Sequence, residues 1–90
     1  MLEKIIEAYL RKRIKDLGGA CFKFLSPGNS GVPDRICVMR DGQIIFVECK
    51  QPNGRLSNIQ EIQIARLRKL GCKVLIIWSK EDVDKFFPAP

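Results

Sequence analysis

Leu2, Ile6, Leu10, Ile14 and Leu17 stand at helical spacing, with Ile5 and Tyr9 widening the stripe and Lys4, Arg11, Lys12 and Lys15 opposite it. That period predicts an amphipathic helix over residues 3–17, stopped by Gly18-Gly19. The apolar period then shortens. Residues 20–25 read as a short strand, followed by the breaker-rich Ser26-Pro27-Gly28-Asn29-Ser30-Gly31. Residues 35–39 form a second strand, and Arg40-Asp41-Gly42-Gln43 predicts a tight turn, because Asp-Gly tolerates positive backbone torsions. Residues 44–50 return as a third strand. Its period of two puts Ile44, Phe46, Glu48 and Lys50 on one face and Ile45, Val47 and Cys49 on the other. Both faces begin apolar, which predicts a central strand, with Glu48 and Lys50 emerging side by side where core gives way to solvent.

Gln51-Pro52-Asn53-Gly54-Arg55 is a loop. Ser57 can cap a helix running to about Leu70, with Ile59, Ile62, Ala65, Leu67 and Leu70 as its apolar positions and Gly71 as its end. Val74-Leu75-Ile76-Ile77 is apolar on both faces and predicts a buried fourth strand over residues 73–78. Ser79 caps a last short helix through Phe86. The order is α-β-β-β-α-β-α. An antiparallel hairpin followed by a helical crossover predicts an α/β fold, a mixed sheet of about four strands flanked by helices, in a single domain over residues 1–90.

Ninety residues allow a modest core. Sixteen Lys and Arg against ten Asp and Glu leave a net charge of +6, which favours a polyanionic partner. No apolar run approaches the roughly 20 residues that would cross a bilayer, and the charged Met1-Leu2-Glu3-Lys4 start does not read as a signal peptide, so no membrane partner and a cytoplasmic location are expected. The chain has no His, which excludes a His general base, a Ser-His-Asp triad and a His-ligated metal. Catalysis would run on carboxylates, Lys and an ion with oxygen ligands. Cys21, Cys37, Cys49 and Cys72 are widely spaced in apolar contexts and match no zinc pattern. They read as four buried thiols in a reducing compartment, and nothing in their spacing recommends a disulfide.

Candidate chemistry lies in two short segments. Asp34 closes Gly31-Val32-Pro33-Asp34, and Glu48 and Lys50 stand two apart in Phe46-Val47-Glu48-Cys49-Lys50. With the turn near Asp41-Gly42, the start of one strand lies opposite the end of the next, so Asp34 and Glu48 are expected to be neighbours. Two adjacent carboxylates repel unless a cation joins them. Such a pair can hold Mg²⁺ or Mn²⁺ through oxygen, while an ammonium faces a phosphate or an attacking water. The bland alternative is a turn Asp and a surface Glu–Lys pair.

Pro33-Asp34 with Glu48-Cys49-Lys50 resembles the PD-(D/E)XK nuclease superfamily. Gly31-Val32-Pro33-Asp34-Arg35, Phe46-Val47-Glu48-Cys49-Lys50, Leu56-Ser57 with Gln60, and Leu70-Gly71 with Val74 are more closely similar to the VRR-NUC group, known as small stand-alone phage proteins and as the nuclease domain of the Fanconi-associated nuclease. The resemblance implies a restriction-endonuclease-like core and a metal-dependent endonuclease acting on branched DNA such as four-way (Holliday) junctions. It implies Asp34, Glu48 and the backbone carbonyl of Cys49 as metal ligands, Lys50 as the residue positioning water, and Gln60 near that Lys. Gln60 has a second reading, since Ser57-x-x-Gln60 is a capping box. A further carboxylate from the first helix is implied, with Glu7 favoured over Glu3. Ser30 and its loop, with Lys23, Arg35 and Arg55, are candidate DNA contacts, each of which could equally be solvated surface. Trp78, Phe86 and Phe87 close the core or serve an interface, and a homodimer is implied. The alternative function is a nucleic-acid-binding module with a nuclease fold and no turnover.

Overall fold

The computed structural model describes residues 2–90. Helix α1 spans Leu2–Asp16, strand β1 Ala20–Lys23, β2 Arg35–Val38, β3 Ile44–Cys49, helix α2 Asn58–Lys69, β4 Lys73–Ile77 and α3 Lys80–Phe86. The strands lie in sequence order, β1-β2-β3-β4. β1 and β2 pair antiparallel, as do β2 and β3, whereas β3 and β4 pair parallel. This follows from connection length: the Asp41-Gly42 turn can only reverse the chain, and the α2 crossover returns β4 in the direction of β3. Among the described residues, no helix is long and apolar enough to cross a membrane.

Period-two alternation divides the sheet into two unlike faces. Cys37, Ile45, Val47, Cys49 and Ile77 point to one, where Ile6, Leu10 and Ile14 of α1 and Val83 of α3 close a buried core with Phe87. Gly19 makes the tight joint between α1 and β1, since a Cβ there would lie 2.6 Å from the Val38 carbonyl oxygen. An exposed clamp ties α1 to α3: Tyr9 Oη donates to Asp84 Oδ1 at 2.7 Å, and Arg13 reaches Asp84 at 2.8 Å and the Phe87 carbonyl at 2.6 Å.

The other face is covered only in part. Helix α2 is buried along Gln60, Gln63, Ile64 and Leu67, of which Ile64 alone is wholly enclosed. Of the apolar positions expected on this helix, Leu67 is half-buried, whereas Ile59, Ile62, Ala65 and Leu70 are exposed. The helix is rotated because its inward stripe carries two glutamines toward the β2–β3 end. Beyond α2 the sheet stands open, with Phe22 57% and Ile44 54% exposed and Phe24 set edge-to-face against Phe46 at 5.9 Å. Of the four thiols, Cys37 and Cys49 are buried, while Cys21 and Cys72 are half-buried. Enclosure of all four is therefore corrected; Cys21 sits on the edge strand and Cys72 in the turn before β4.

Candidate active site at the mouth of the β2–β3 hairpin

The last register pair of the hairpin is Arg35 with Val47, so one step further Asp34 faces Glu48. The backbone N–H of Asp34 donates to Glu48 Oε1 at 3.2 Å. On its other side, the Asp34 carbonyl accepts from the Phe24 N–H at 2.6 Å. The backbone of Asp34 is thus held between two strands while its side chain stays exposed. Pro33, fully buried, anchors the approach.

Glu48 differs from the expectation that it would emerge into solvent. It is 1% exposed, among the described residues the one charged side chain in the buried class. Its cover is Gln60, whose Nε2 donates to Glu48 Oε2 at 3.3 Å. Gln60 also completes the capping box: its Oε1 accepts from the Ser57 N–H at 2.9 Å, and its own N–H donates to Ser57 Oγ at 3.2 Å. The two roles read for Gln60 are therefore one geometry. The amide oxygen caps the helix, and the amide nitrogen is left for the carboxylate.

Gly31 fits the Asp34 loop to this helix end. Its φ is +85°, and a Cβ there would lie 2.8 Å from the carbonyl carbon and oxygen of Ile59. Only glycine combines that torsion with that approach. Gln63 adds a second tie, donating from Nε2 to the Ser30 carbonyl at 3.3 Å. Ser30 and its loop therefore rest on α2 with their exposed side outward.

Burial above all, with the charges of Asp34 and Glu3, pushes the Glu48 carboxyl up to about 7 against the opposing effects of Lys50 and the Asp34 N–H. Enclosed and with a second acid beside it, the carboxylate is only partly compensated. Its two oxygens offer about four lone-pair positions, of which the hydrogen bonds above use two. That donor set suits a hard divalent cation. Among the described residues no group of three His, Cys, Asp or Glu side chains converges. The side-chain donors are thus Asp34 and Glu48 alone, and the fit depends on a backbone oxygen such as that of Cys49. The Cys49 thiol itself points into the core, and burial pushes it up to about 12.

Two sequence readings are corrected, that of Arg35 by strand alternation and that of Glu7 by the face of α1 on which it lies. Arg35 follows Asp34 and so points to the opposite face, beneath α1, with its side chain 13% exposed. Its Nε lies 3.6 Å from Glu7 Oε1 and makes no hydrogen bond. Arg35 is thus turned away from any phosphate at Asp34. Glu7 is engaged on that same far face, beside Arg35 and Cys49. Glu3, one turn earlier, is the α1 acid whose charge reaches Glu48. Lys23 and Arg55 are exposed, Arg55 beside Trp78 in a shallow polar depression at the start of α2. Lys50 is half-buried, its N–H donating to the Ile77 carbonyl at 2.8 Å. Gln63 was missed by sequence reasoning, although its place three residues after Gln60 signals a shared helix face.

A groove of about 660 Å³ lies at the opposite end of the sheet among Met39, Ile45, Phe86 and Phe87. That groove is lined by one acid, Asp41, and carries no pair of carboxylates.

The VRR-NUC domain family matches residues 1–81. "Putative nuclease p44" of Acyrthosiphon pisum secondary endosymbiont phage 1 is 41% identical over 87 residues, covering 97% of this chain and 92% of that protein. A solved VRR-NUC domain superposes with a TM-score of 0.91 at 33% identity, covering 96% of this chain and 94% of that one. The chain belongs to the VRR-NUC family of nuclease domains.

Proposed function

We propose that the chain is a metal-dependent, structure-selective DNA endonuclease that hydrolyses phosphodiester bonds in branched DNA such as four-way junctions. The observation that carries this reading is Glu48, buried to 1% exposure yet bonded to the Asp34 backbone and to Gln60. A fold that needed only stability would place an apolar residue there. Mg²⁺ or Mn²⁺ held by Asp34, Glu48 and the Cys49 carbonyl would supply charge neutralisation at the scissile phosphate. Gln60 keeps Glu48 oriented, and the Gly31 contact keeps Asp34 in register with it. Lys50, whose charge favours the ionised form of Glu48, positions the attacking water and stabilises negative charge developing on the phosphate. Water oxygen bonds to phosphorus as the bond to the departing sugar oxygen breaks.

A net charge of +6 supports a nucleic-acid partner. Lys23, Ser30 and Arg55 remain the candidate backbone contacts. The uncovered apolar residues Phe22 and Ile44 support a homodimer, which would suit symmetrical cutting of a junction. A cytoplasmic location, where thiols stay reduced, belongs to the same proposal. The test is incubation of purified protein with labelled four-way junction, flap and linear duplex, with Mg²⁺, Mn²⁺ or chelator. Metal-dependent nicking favouring the branched substrates is expected, abolished in Asp34→Asn. Salt-sensitive binding without product under every condition would favour the non-catalytic binding module instead.

A further inference from the structure

Cys21 and Cys37 are 16 positions apart in the chain and directly opposite in the sheet. Antiparallel pairs alternate between hydrogen-bonded and non-hydrogen-bonded sites. The Phe24 N–H donates to the Asp34 carbonyl, which makes Phe24 and Asp34 a hydrogen-bonded pair. Three steps along the same register, Cys21 and Cys37 form a non-hydrogen-bonded pair. At such sites the Cα atoms approach to roughly 4.5 Å, inside the 4.4–6.8 Å span that a disulfide bridges. The register sets the two side chains side by side on the face that α1 covers, where Cys21 packs against the buried core that contains Cys37. They differ in access: Cys21 is half-buried on the edge strand and Cys37 is wholly buried. The positive charges of Arg35 and Arg11 bear on Cys21, with the Glu7 charge opposing them more weakly.

We infer that Cys21 and Cys37 are a reactive dithiol that takes an anionic low-molecular-weight disulfide as co-substrate and closes to a cross-strand disulfide. Cys21 is the attacking thiol, Cys37 the resolving one. The Cys21 sulfur attacks one sulfur of the external disulfide; a mixed disulfide forms and the first external thiolate departs with the electron pair of the broken bond. Cys37 then attacks the Cys21 sulfur, loses its proton to solvent, and expels the second thiolate. Two protein thiols are oxidised and one external disulfide is reduced to two thiols. The neighbouring Cys37 lowers the Cys21 thiol, while Cys21 and burial raise that of Cys37, so the first proton leaves the accessible sulfur. The bridge closes the base of the segment that carries Ser30, Gly31 and Asp34, and so ties the redox state of the edge strand to the loop holding the exposed carboxylate. This inference does not depend on the nuclease reading.

The test uses the Cys72→Ser full chain, which removes the other half-buried thiol, incubated natively with oxidised glutathione. The free-thiol titre is expected to fall from three to one, with the loss of two hydrogens in intact mass and a Cys21–Cys37 crosslinked peptide on non-reducing digestion. Cys37→Ser in that background should trap a stable glutathione adduct on Cys21, with circular dichroism checking its fold. A glutathione adduct persisting on Cys21 while Cys37 is present would overturn the inference. Absence of any reaction at Cys21, or a bridge to Cys49, would do the same, and these outcomes are read without the variant at Cys37.

Discussion

The two faces of this sheet are built from the same strands and reach opposite ends. Under α1 and α3, Cys37, Ile45, Val47, Cys49 and Ile77 are sealed by aliphatic side chains, and the one charged intruder, Arg35, is met by Glu7. Across the sheet, α2 brings Gln60 and Gln63 inward, covers Glu48, and stops short of Phe22 and Ile44. The first face is given over to burial; the second encloses a carboxylate whose ionised form Lys50 and two hydrogen bonds only partly support. The contrast shows that the candidate site lies at the border of a helix's cover, where the sheet is dry enough to perturb Glu48 and open enough for Asp34 to meet a polymer.

The largest effect is expected from Glu48→Gln. Activity in the nicking assay should fall at least about 10²–10³-fold, the scale for removing one electrostatic contact at a developing charge. Stability should move the other way. The Glu48 carboxyl is raised from 4.5 to about 7 on folding, so its contribution is fully present below pH 4.5 and is lost as pH rises through 7. That rise corresponds to roughly 3 kcal/mol. Melting curves of the metal-free protein between pH 4 and 8 should show the wild type falling relative to Glu48→Gln, and added Mg²⁺ should restore the wild type alone. Equal pH profiles would remove the partly compensated charge from the account.

Gly31→Ala ranks next, because it puts a Cβ 2.8 Å from the Ile59 carbonyl at a φ of +85°. A loss of about 1–3 kcal/mol in urea unfolding is expected, with reduced nicking as the Asp34 loop lifts from α2. Gln60 separates cap from site. Gln60→Glu retains an oxygen for the Ser57 N–H, so the helix should keep most of its stability, yet it removes the donor to Glu48 and sets a third acid beside it. Activity should therefore fall more than in Gln60→Ala, whose lost capping box lowers stability by about 1 kcal/mol. The smallest effect belongs to the far face. Asp84→Asn weakens an exposed contact with Tyr9 and Arg13 and should lower the melting temperature slightly without changing nicking.

Much of this was legible in the chain itself. The seven elements follow from apolar periods, the Asp41-Gly42 turn and two serine caps, because those signals are local and the physics of turns and caps is local too. Asp34 opposite Glu48 was legible for the same reason, since a tight turn fixes register by counting. Where α2 points was not. Its Ile59 and Ile62 lie outward while Ile64 and Leu67 lie inward, so the apolar period chooses no face, and the parallel β3–β4 pairing with the Gly31 contact goes with the glutamines turned inward.

Side-chain alternation by itself determined that Asp34 and Arg35 could not share a face, although the motif that unites them in sequence invites the opposite reading. Tertiary structure alone decided which α1 acid nears Glu48, that Glu48 is enclosed, and that Cys21 lies opposite Cys37. The physical reason is range. Turns, caps and periods are set within a few residues, whereas burial and charge are set by whatever the fold brings alongside.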